Sequence, residues 1–278
     1  MTSGEEFPIF PELAAVLSLR RAGMSTPTSY NSIGHGYAGP RQPDPRIGAR
    51  LAAALGDARS VLNVGAGAGS YEPEDRAVIA LDPSLVMLGQ RPLGAAPAVC
   101  GRAEALPFCD AAFDAALCVL TVHHWANRVV GLSECARVAR NRVVLLTWDP
   151  AAAGFWLVAD YLPEFLALDR RRFATMESYR TAFGRDARVQ ISPLPIPRDC
   201  RDGFLGAYWA RPAAYLDAAV RAGISSFVHG GWEPGLARLA ADLASGAWLA
   251  RYPDLLTEQE LDIGYRIVVA QLNGAPAA

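Results

Sequence analysis

The stretch Val61-Leu-Asn-Val-Gly65-Ala-Gly67-Ala-Gly69-Ser70 decides the fold class, because a short β-branched run is followed at once by three glycines. Glycines allow a sharp turn and let a ligand lie against bare backbone. The order therefore predicts a buried strand, a ligand-binding loop and then a helix. The glycines are spaced G-x-G-x-G, whereas the dinucleotide-binding pattern G-x-G-x-x-G needs a glycine where Ser70 stands.

Further strands are predicted at regular intervals around this stretch. Short apolar runs indicate them at residues 77–81, 113–120 and 142–148, with helical stretches between. Before the glycines, residues 47–55 have helical spacing and stop at Gly56. Alternating strands and helices predict an α/β fold with a mostly parallel sheet that helices cover on both faces.

The second half of the chain follows a different pattern. Residues 188–197 predict an edge strand limited by prolines, and residues 265–270 predict a closing strand. Between them lies a segment rich in aromatic residues and alanine, with mainly helical spacing. A segment this long between two sheet strands is a candidate helical cap over a ligand site.

The chain is interpreted as one domain, because it holds no internal repeat and no low-complexity linker. The predicted parts are an N-terminal lid and helix (24–58), a cofactor-binding core (59–200), a helical cap (201–258) and a closing strand (259–278). Residues 1–23 are expected to be an extension, since Met24-Ser-Thr-Pro resembles a second N-terminus. The alternative is an ordinary N-terminal helix packed on the core.

Charge and composition exclude several classes of function. The 278 residues include 26 basic and 28 acidic side chains, so there is no net basic field for a nucleic-acid backbone. All 26 are arginine. Without lysine, the chain has no Schiff-base lysine, no P-loop lysine and no lysine general base. A small-molecule partner is the better expectation, and no nucleic-acid partner is expected.

The cysteines and the first residues of the chain indicate in which cellular compartment the protein is expected. The five cysteines are scattered and lack a C-x-x-C pair, so neither a disulfide framework nor a metal site is expected. The first residues lack the basic and apolar regions of a signal peptide. No uncharged apolar run approaches the roughly 18–20 residues that cross a bilayer. We therefore expect a cytoplasmic protein without a membrane span, and the oligomeric state stays open.

Asp82 stands at the end of the second predicted strand, in Leu81-Asp82-Pro83-Ser84. A carboxylate at the C-terminal end of such a strand can accept hydrogen bonds from both hydroxyls of a ribose. The alternative interpretation is that Asp82 caps the N-terminus of the following helix. The first interpretation predicts a ligand that contains a nucleoside.

Several motifs occur in order between Tyr30 and Pro150. The glycine loop and Asp82 are followed by Gly101-Arg-Ala-Glu-Ala-Leu-Pro-Phe and then by Val119-Leu-Thr with His123-His-Trp. In this order they resemble the class I S-adenosylmethionine-dependent methyltransferases, of the broad subgroup that includes the ubiquinone and menaquinone methyltransferases. The resemblance implies S-adenosylmethionine as cofactor and a Rossmann-like sheet of seven strands whose last strand is antiparallel.

The resemblance also assigns residues to the cofactor. The glycine loop would pass under its methionine part, Asp82 would hold its ribose, and Ala103 and Glu104 would frame its adenine. Arg41, in an N-terminal lid, would bind its carboxylate as a bidentate fork. The implied cofactor-binding residues are Tyr30, Tyr37, Arg41, Asn63, Gly65, Ala66, Gly67, Gly69, Asp82, Pro83, Ala103, Glu104, Leu120 and Thr121. For the lid, the alternative is a surface arginine and two packed tyrosines.

Two positions depart from the family pattern. Acidic residues commonly stand where this chain has Asn63 and Arg102. Asn63 can form hydrogen bonds but cannot offset the positive ammonium of the cofactor. Glu104 is a candidate replacement for the acid missing at Arg102. The departures motivate one alternative function, a protein that binds S-adenosylmethionine but has lost transfer activity.

Methyl transfer needs an aligned acceptor and, where the acceptor carries a proton, a base. His123 is the candidate base, because adjacent residues at a strand end point in opposite directions and only one of His123 and His124 is expected to face the acceptor. The candidate substrate-pocket residues are His124, Trp125, Trp148, Trp156, Tyr208 and Trp209. The alternatives are that the histidines position the loop and that the aromatic residues form core. Arg170-Arg-Arg172 is interpreted as a solvated helix face, and the alternative is that an acidic substrate uses it.

The expected function is therefore S-adenosylmethionine-dependent methyl transfer, by in-line displacement, to a small and partly apolar acceptor. Whether the methyl group goes to oxygen, nitrogen, sulfur or carbon is left open. The competing enzyme is an NAD(P)-dependent oxidoreductase. Ser70 and the absence of a Tyr-x-x-x-Lys pair argue against that enzyme.

Overall fold

The computed structural model describes residues 41–184 and 186–272. The proposed extension 1–23 and the lid residues Tyr30 and Tyr37 lie outside the described residues, so these expectations stay predictions. In the described ranges, none of the helices has the length and apolar character needed to span a membrane.

The centre of the fold is a seven-stranded sheet. The strands of the chain are β1 (Ser60–Val64), β2 (Ala77–Asp82), β3 (Ala98–Cys100), β4 (Phe113–Val119), β5 (Ala139–Trp148), β6 (Arg188–Pro193), β7 (Ile196–Pro197), β8 (Glu260–Leu261) and β9 (Tyr265–Gln271). The sheet order is β3-β2-β1-β4-β5-β9-β6, and β7 pairs with β8 in a separate ribbon. β1 to β5 pair in parallel, whereas β9 is antiparallel to β5 and β6. The predicted seven-stranded, Rossmann-like sheet with an antiparallel last strand is confirmed.

Helices surround this sheet. They are α1 (Pro45–Leu55), α2 (Leu85–Leu88), α3 (Arg128–Val138), α4 (Pro163–Arg172), α5 (Met176–Thr181), α6 (Ala218–Ala222), α7 (Glu233–Ser245) and α8 (Ala247–Arg251). Shorter helical turns lie before and after α6. With α6, α7 and α8 they make up most of residues 205–251, between β6 and β9. The mainly helical spacing of this segment therefore corresponds to helices. A role as a cap stays a proposal.

Both faces of the sheet are buried. Successive side chains of a strand point to opposite faces, and the fully buried Leu117 and Cys118 of β4 accordingly lie in two different apolar clusters. α1 packs on the cluster of Leu117 through Ile47, Leu51 and Leu55, whose spacing places them on one helix face. The strand ends that carry the functional residues thus project from a rigid support.

Three local predictions need correction. No helix follows the glycine loop, because residues 65–76 hold three closely spaced glycines and Pro73, and they form turns. Residues 188–197 form two strands rather than one, because the pairing with β9 continues through Pro193 to Leu194 and Pro195, which has no N–H, separates β6 from β7. β3 was not predicted, because only three residues form it and none is fully buried.

Candidate active site

A cavity of about 250 Å³, the main cavity, opens at the C-terminal ends of β1, β2 and β4. Open α/β sheets bind their ligands at this edge. The predicted cofactor residues that line it are Arg41, Asn63, Gly65, Ala66, Gly67, Asp82, Pro83, Ala103, Glu104, Leu120 and Thr121. Gly69 does not line the main cavity and lies beside Arg91 and Glu72 instead.

The glycine loop takes a conformation that favours glycine. Gly65 and Gly67 have φ values of +73° and +54°, in the left-handed region. The N–H groups of Gly65 and Ala66 both donate to the carbonyl oxygen of Leu81, at 2.7 and 3.0 Å, which fixes the loop to β2. A Cβ atom on Gly65 would overlap the side chain of Thr121. The loop is therefore tight, and its backbone lies bare against the end of β4.

Asp82 joins β2 to the glycine loop. Its Oδ2 accepts a hydrogen bond from the N–H of Gly67 at 2.9 Å, and its Oδ1 accepts one from Ser84 at 2.8 Å. Burial raises the pKa of Asp82, and the two N–H donors oppose this effect. The helix-capping role belongs to Ser84, whose hydroxyl accepts from the N–H of Met87 in α2. The remaining lone pairs of the Asp82 carboxylate can serve a ligand in the main cavity.

Asn63 lies buried below the loop and borders the main cavity. Its Nδ2 donates to Oε1 of Glu72 at 3.0 Å, and Glu72 forms a bidentate pair with Arg91 at 2.9 and 2.7 Å. These contacts orient the amide, and among the described residues its Oδ1 has no hydrogen-bond partner. A buried acceptor without a donor costs free energy. An ammonium group that reached this oxygen would supply the missing hydrogen bond, although the neutral amide does not replace the charge of the acid that the family commonly has here.

The opposite end of the main cavity holds the residues assigned to adenine. Ala103 is buried, and Oε1 of Glu104 accepts from the N–H of Asn127 at 3.1 Å. Oε2 of Glu104 lies 3.6 Å from Nε of Arg102. Glu104 is thus fixed by neighbouring loops at the cavity rim, a position compatible with its assigned role, which stays a prediction.

The chain leaves β4 through a strained residue. Leu120 has a φ of +48°, which is uncommon for a residue with a side chain. Its N–H still donates to Leu146 of β5 at 2.8 Å, so the turn is anchored. Thr121 follows, and its Oγ1 accepts from Nε1 of Trp125 at 3.3 Å. Strained residues of this kind concentrate at functional sites.

A second cavity, of about 70 Å³, adjoins the main one, and Arg41, Leu120 and His124 border both. Its walls come from α4, β9 and the segment between β6 and β9, with Ile224 and Ser225 among the contributors from that segment. The remaining large apolar wall residues are Trp148, Phe173, Phe204, Leu205 and Tyr265. The predicted cap segment therefore forms part of the wall of a space beside the end of β4, and aromatic rings form another part of it.

His123 and His124 do not point in opposite directions. They belong to a 3₁₀ turn (Val122–His124) rather than to an extended strand end, and their ring centroids are 3.8 Å apart. The ring of His123 also stacks on Phe173 at 4.2 Å. Of the two cavities, His123 borders only the second, whereas His124 borders both.

Both histidines lie in a positive environment. Desolvation lowers the pKa of His123 well below its usual range, and the charges of His124 and Arg172 add to this effect. Desolvation also lowers the pKa of His124, followed by the charges of Arg172 and Arg41. Both rings are therefore neutral near pH 7. A lowered pKa makes either imidazole a weak base, which disfavours His123 as the principal proton acceptor.

Arg41 does not present an open fork to the main cavity. Its Nε and Nη2 donate to the carboxylate of Asp202 at 2.6 and 3.3 Å, and the hydroxyl of Tyr71 donates to the same carboxylate at 2.9 Å. Asp202 is fully buried, so its charge needs these donors. The guanidinium of Arg41 thus joins the end of the predicted lid to the start of the predicted cap segment. A contact between Arg41 and the cofactor stays a prediction.

The aromatic residues assigned to the substrate pocket separate into two groups. Trp125 borders the main cavity and Trp148 borders the second. Trp156, Tyr208 and Trp209 border neither, which corrects the expectation for these three. Trp156 and Trp209 are almost fully buried, and their Nε1 atoms donate to backbone carbonyls at 2.9 and 2.8 Å, so both belong to the packed core.

Three functional residues were missed or misplaced by sequence reasoning. Glu72 gives no sequence signal, because its contacts depend on the turns after the glycine loop. The sequence did hold a signal for Asp169. It lies four residues after Phe165, which places both side chains on the same buried face of α4, so a carboxylate stands on an apolar helix face. Arg170 and Arg171 are exposed, whereas Arg172 is half-exposed, borders the second cavity and has its Nη1 2.7 Å from Nε2 of His229.

Comparisons with known proteins agree with this geometry. A family profile described as a methyltransferase domain matches residues 62–147. A crystal structure from Anabaena variabilis, described as a methyltransferase from an antibiotic biosynthesis pathway, is 35% identical over 83% of this chain and 98% of its own, with a TM-score of 0.76. The [4+2]-cyclase SpnF is 18% identical over 91% of this chain and 100% of its own, with a TM-score of 0.54, which shows the fold alone. No curated protein matches the chain.

Proposed function

The chain belongs to the class I S-adenosylmethionine-dependent methyltransferases, and we propose that its main cavity binds the cofactor while the second cavity receives a small-molecule methyl acceptor. The main support for this proposal is the hydrogen bond between Gly67 and Asp82. It connects a glycine loop with exposed backbone to a carboxylate at the end of a strand, and both residues line the main cavity. That combination suits a ribose and its neighbouring groups.

The proposed cofactor contacts follow the length of the main cavity. Asp82 would accept hydrogen bonds from the ribose hydroxyls, and Glu104 would lie beside the adenine. Oδ1 of Asn63 would accept from the ammonium group. The buried Oδ1 supports this fit, because a donor is what it lacks among the described residues.

When bound, S-adenosylmethionine supplies a methyl group on a sulfonium that is already activated for displacement. The chain then has to hold the acceptor in line and keep water away. Leu120 and His124 border both cavities, so we place the meeting point of methyl group and acceptor at this boundary. His123 lies farther from the cofactor side and has its ring packed on Phe173.

The proposed acceptor is a small metabolite. The Anabaena variabilis relative is described as part of an antibiotic biosynthesis pathway. The second cavity of this chain is small and combines apolar rings with polar groups, which suits a partly apolar molecule. The near-neutral composition gives no support for a nucleic-acid acceptor.

Neither alternative function gains support. The family profile and the Anabaena relative indicate methyl transfer rather than hydride transfer. The reason for considering an inactive binding protein was partly Asn63, and the contact between Asn63 and Glu72 now accounts for that departure. Methyl transfer is therefore the single function that we propose.

The test is transfer of a labelled methyl group. The full chain is incubated with S-adenosylmethionine labelled in its methyl group and with an extract of small hydroxylated metabolites. We expect label in a small-molecule product, and inhibition by S-adenosylhomocysteine. Tight binding of S-adenosylhomocysteine with persistent absence of label transfer would favour the inactive binding protein.

A further inference from the structure

Asp169 of α4 is a buried carboxylic acid at the second cavity. It is 7% exposed, and it borders the cavity together with His123, His124 and Arg172. Within residues 41–184 and 186–272, no group forms a hydrogen bond or an ion pair with its carboxylate. Burying an ionisable group without a partner is costly, so such groups in a cavity are candidates for function.

The charged and titratable groups that border the second cavity with Asp169 come from four parts of the chain. Arg172 lies on its own helix, Arg41 precedes α1, His123 and His124 follow β4, and Tyr265 belongs to β9. The arginine charges lower the pKa of both histidines. Arg41 is already paired with the buried Asp202, so Arg172 is the cation that acts on Asp169, and Asp169 is the only carboxylate among the described lining residues.

Aromatic and aliphatic side chains form much of the remaining cavity wall, which Ser225 and Ser226 also border. Trp148, Phe173, Phe204 and Tyr265 contribute aromatic rings, and Leu205 and Ile224 contribute aliphatic groups. Aromatic rings stack on flat partners, and a cavity of about 70 Å³ leaves room only for a small one. The wall therefore favours a small aromatic framework over a flexible chain.

The charged residues of the second cavity restrict which chemical group of the acceptor can react there. An alkyl ammonium would meet the positive charge of Arg172, so an amine that arrives as a cation is disfavoured. A carboxylate would meet Asp169 and has no proton to lose. A neutral hydroxyl avoids both conflicts, since Asp169 can accept its hydrogen bond and the charge of Arg172 favours the negative charge that develops on oxygen.

We propose that the second cavity binds a small phenol and that Asp169 is the catalytic residue that removes the hydroxyl proton during methyl transfer. This inference rests on the proposed function. A lone pair of the phenol oxygen forms the new O–C bond, and the C–S bond breaks with its electron pair going to sulfur. The phenol proton passes to the Asp169 carboxylate. The positive sulfonium and the negative carboxylate both become neutral, so charge is conserved.

The acidity of Asp169 agrees with this role. Burial raises the pKa of Asp169 to about 7, and the charge of Arg172 opposes the rise. Because the pKa lies near neutral pH, a substantial fraction is ionised and able to accept a proton. A general base works best when its pKa is close to the working pH.

The binding test uses the full chain saturated with S-adenosylhomocysteine. Calorimetry at pH 7.5 compares three probes of similar shape, namely 4-methylphenol, 4-methylbenzylamine and 4-methylbenzoate. We expect the phenol to bind at least about tenfold more tightly than the cation and the anion. Asp169→Asn should raise the affinity for 4-methylbenzoate, because it removes the opposing charge. Asp242→Asn, which removes a carboxylate bonded to Tyr161 outside both cavities, is the matched control.

The kinetic test measures label transfer to 4-methylphenol against pH. In the wild type, the rate should rise as the pH increases through about 7, because Asp169 must be ionised to accept the proton. Asp169→Asn should lose this rise and be slower by about 10²–10⁴-fold. Asp242→Asn should keep the wild-type profile, and S-adenosylhomocysteine affinity should be the same in all three proteins.

The outcomes separate the two proposals. Failure of S-adenosylhomocysteine to bind contradicts the proposed function itself. If it binds but the phenol is not preferred, or none of the three probes binds, the phenol assignment is overturned while cofactor binding stands. A wild-type pH profile in Asp169→Asn overturns the role of Asp169 as base.

Discussion

The carboxylate of Asp82 accepts a hydrogen bond from the backbone N–H of Gly67 at 2.9 Å, and this bond ties the end of β2 to the loop that follows β1. The two residues belong to adjacent parallel strands, whose C-terminal ends meet at the same edge of the sheet. The bond shapes the main cavity before any ligand arrives, so we expect cofactor binding to depend on it.

The first prediction concerns Asp82→Asn. The amide keeps one acceptor oxygen but turns an NH₂ group toward Gly67 or Ser84, whose N–H groups now bond the carboxylate. We expect S-adenosylhomocysteine affinity to fall at least about tenfold, which corresponds to about 1.4 kcal/mol. Calorimetry measures this, with the exposed Asp75→Asn as control. Equal affinity in the two variants would contradict a role for Asp82 in the site.

The second prediction concerns Gly65→Ala. A methyl group here would overlap Thr121 and would also occupy a left-handed backbone conformation. Gly94→Ala is the matched control, because Gly94 also has a positive φ but nothing within 4 Å of the added carbon. We expect both variants to lose some stability and only Gly65→Ala to lose cofactor affinity. Equal cofactor affinity in the two variants would contradict a role of the Gly65 position in cofactor binding.

The third prediction concerns the pair of Arg41 and Asp202. Asp202 is fully buried, and Asp202→Ala leaves a largely buried guanidinium without its carboxylate. We expect a loss of about 3–5 kcal/mol in the free energy of unfolding, measured with urea. Glu177→Ala, which breaks an exposed pair with Arg180, should cost no more than about 1 kcal/mol. Similar losses in the two variants would mean that burial does not strengthen the first pair.

The fourth prediction is a pH dependence of stability at Asp169. Its pKa is raised to about 7 in the folded protein and is about 3.9 in an unfolded chain. Between these values unfolding releases a proton, so wild-type stability falls as pH rises and the loss is complete above about pH 7. Asp169→Asn lacks this effect. When the pH is raised from 5 to 8, the free energy of unfolding of Asp169→Asn should therefore increase by about 2–3 kcal/mol relative to that of the wild type.

Urea unfolding of both proteins at the two pH values measures this difference. The other titrating groups, including His123 and His124, are present in both proteins. A stability difference that does not change with pH would show that Asp169 keeps an ordinary acidity. A gain in stability on loss of a catalytic carboxylate would agree with the usual conflict between stability and activity.

The sheet and the main cavity were largely predictable because both follow from local patterns. Short apolar runs indicated β1, β2, β4 and β5, and the glycine spacing indicated the loop that borders the main cavity. β3 escaped because three half-exposed or exposed residues give no alternation. The helix expected after the loop did not form, since Pro73 and the glycines favour turns.

The second cavity was less predictable because residues far apart in sequence form it. Asp169 meets His123 and Tyr265 only through the packing of α4 against the sheet edge and the helical segment. Trp156 and Trp209 were assigned to a pocket by residue type, although tertiary packing places both in the core. Glu72 supports Asn63 through turns whose conformation the sequence does not reveal.

The central claim is that the main cavity binds S-adenosylmethionine and its product. The most direct measurement is calorimetric titration of the full chain with S-adenosylhomocysteine and, separately, with NADH. We predict binding of S-adenosylhomocysteine at one site per chain and no binding of NADH. Clear NADH binding without S-adenosylhomocysteine binding would contradict the account.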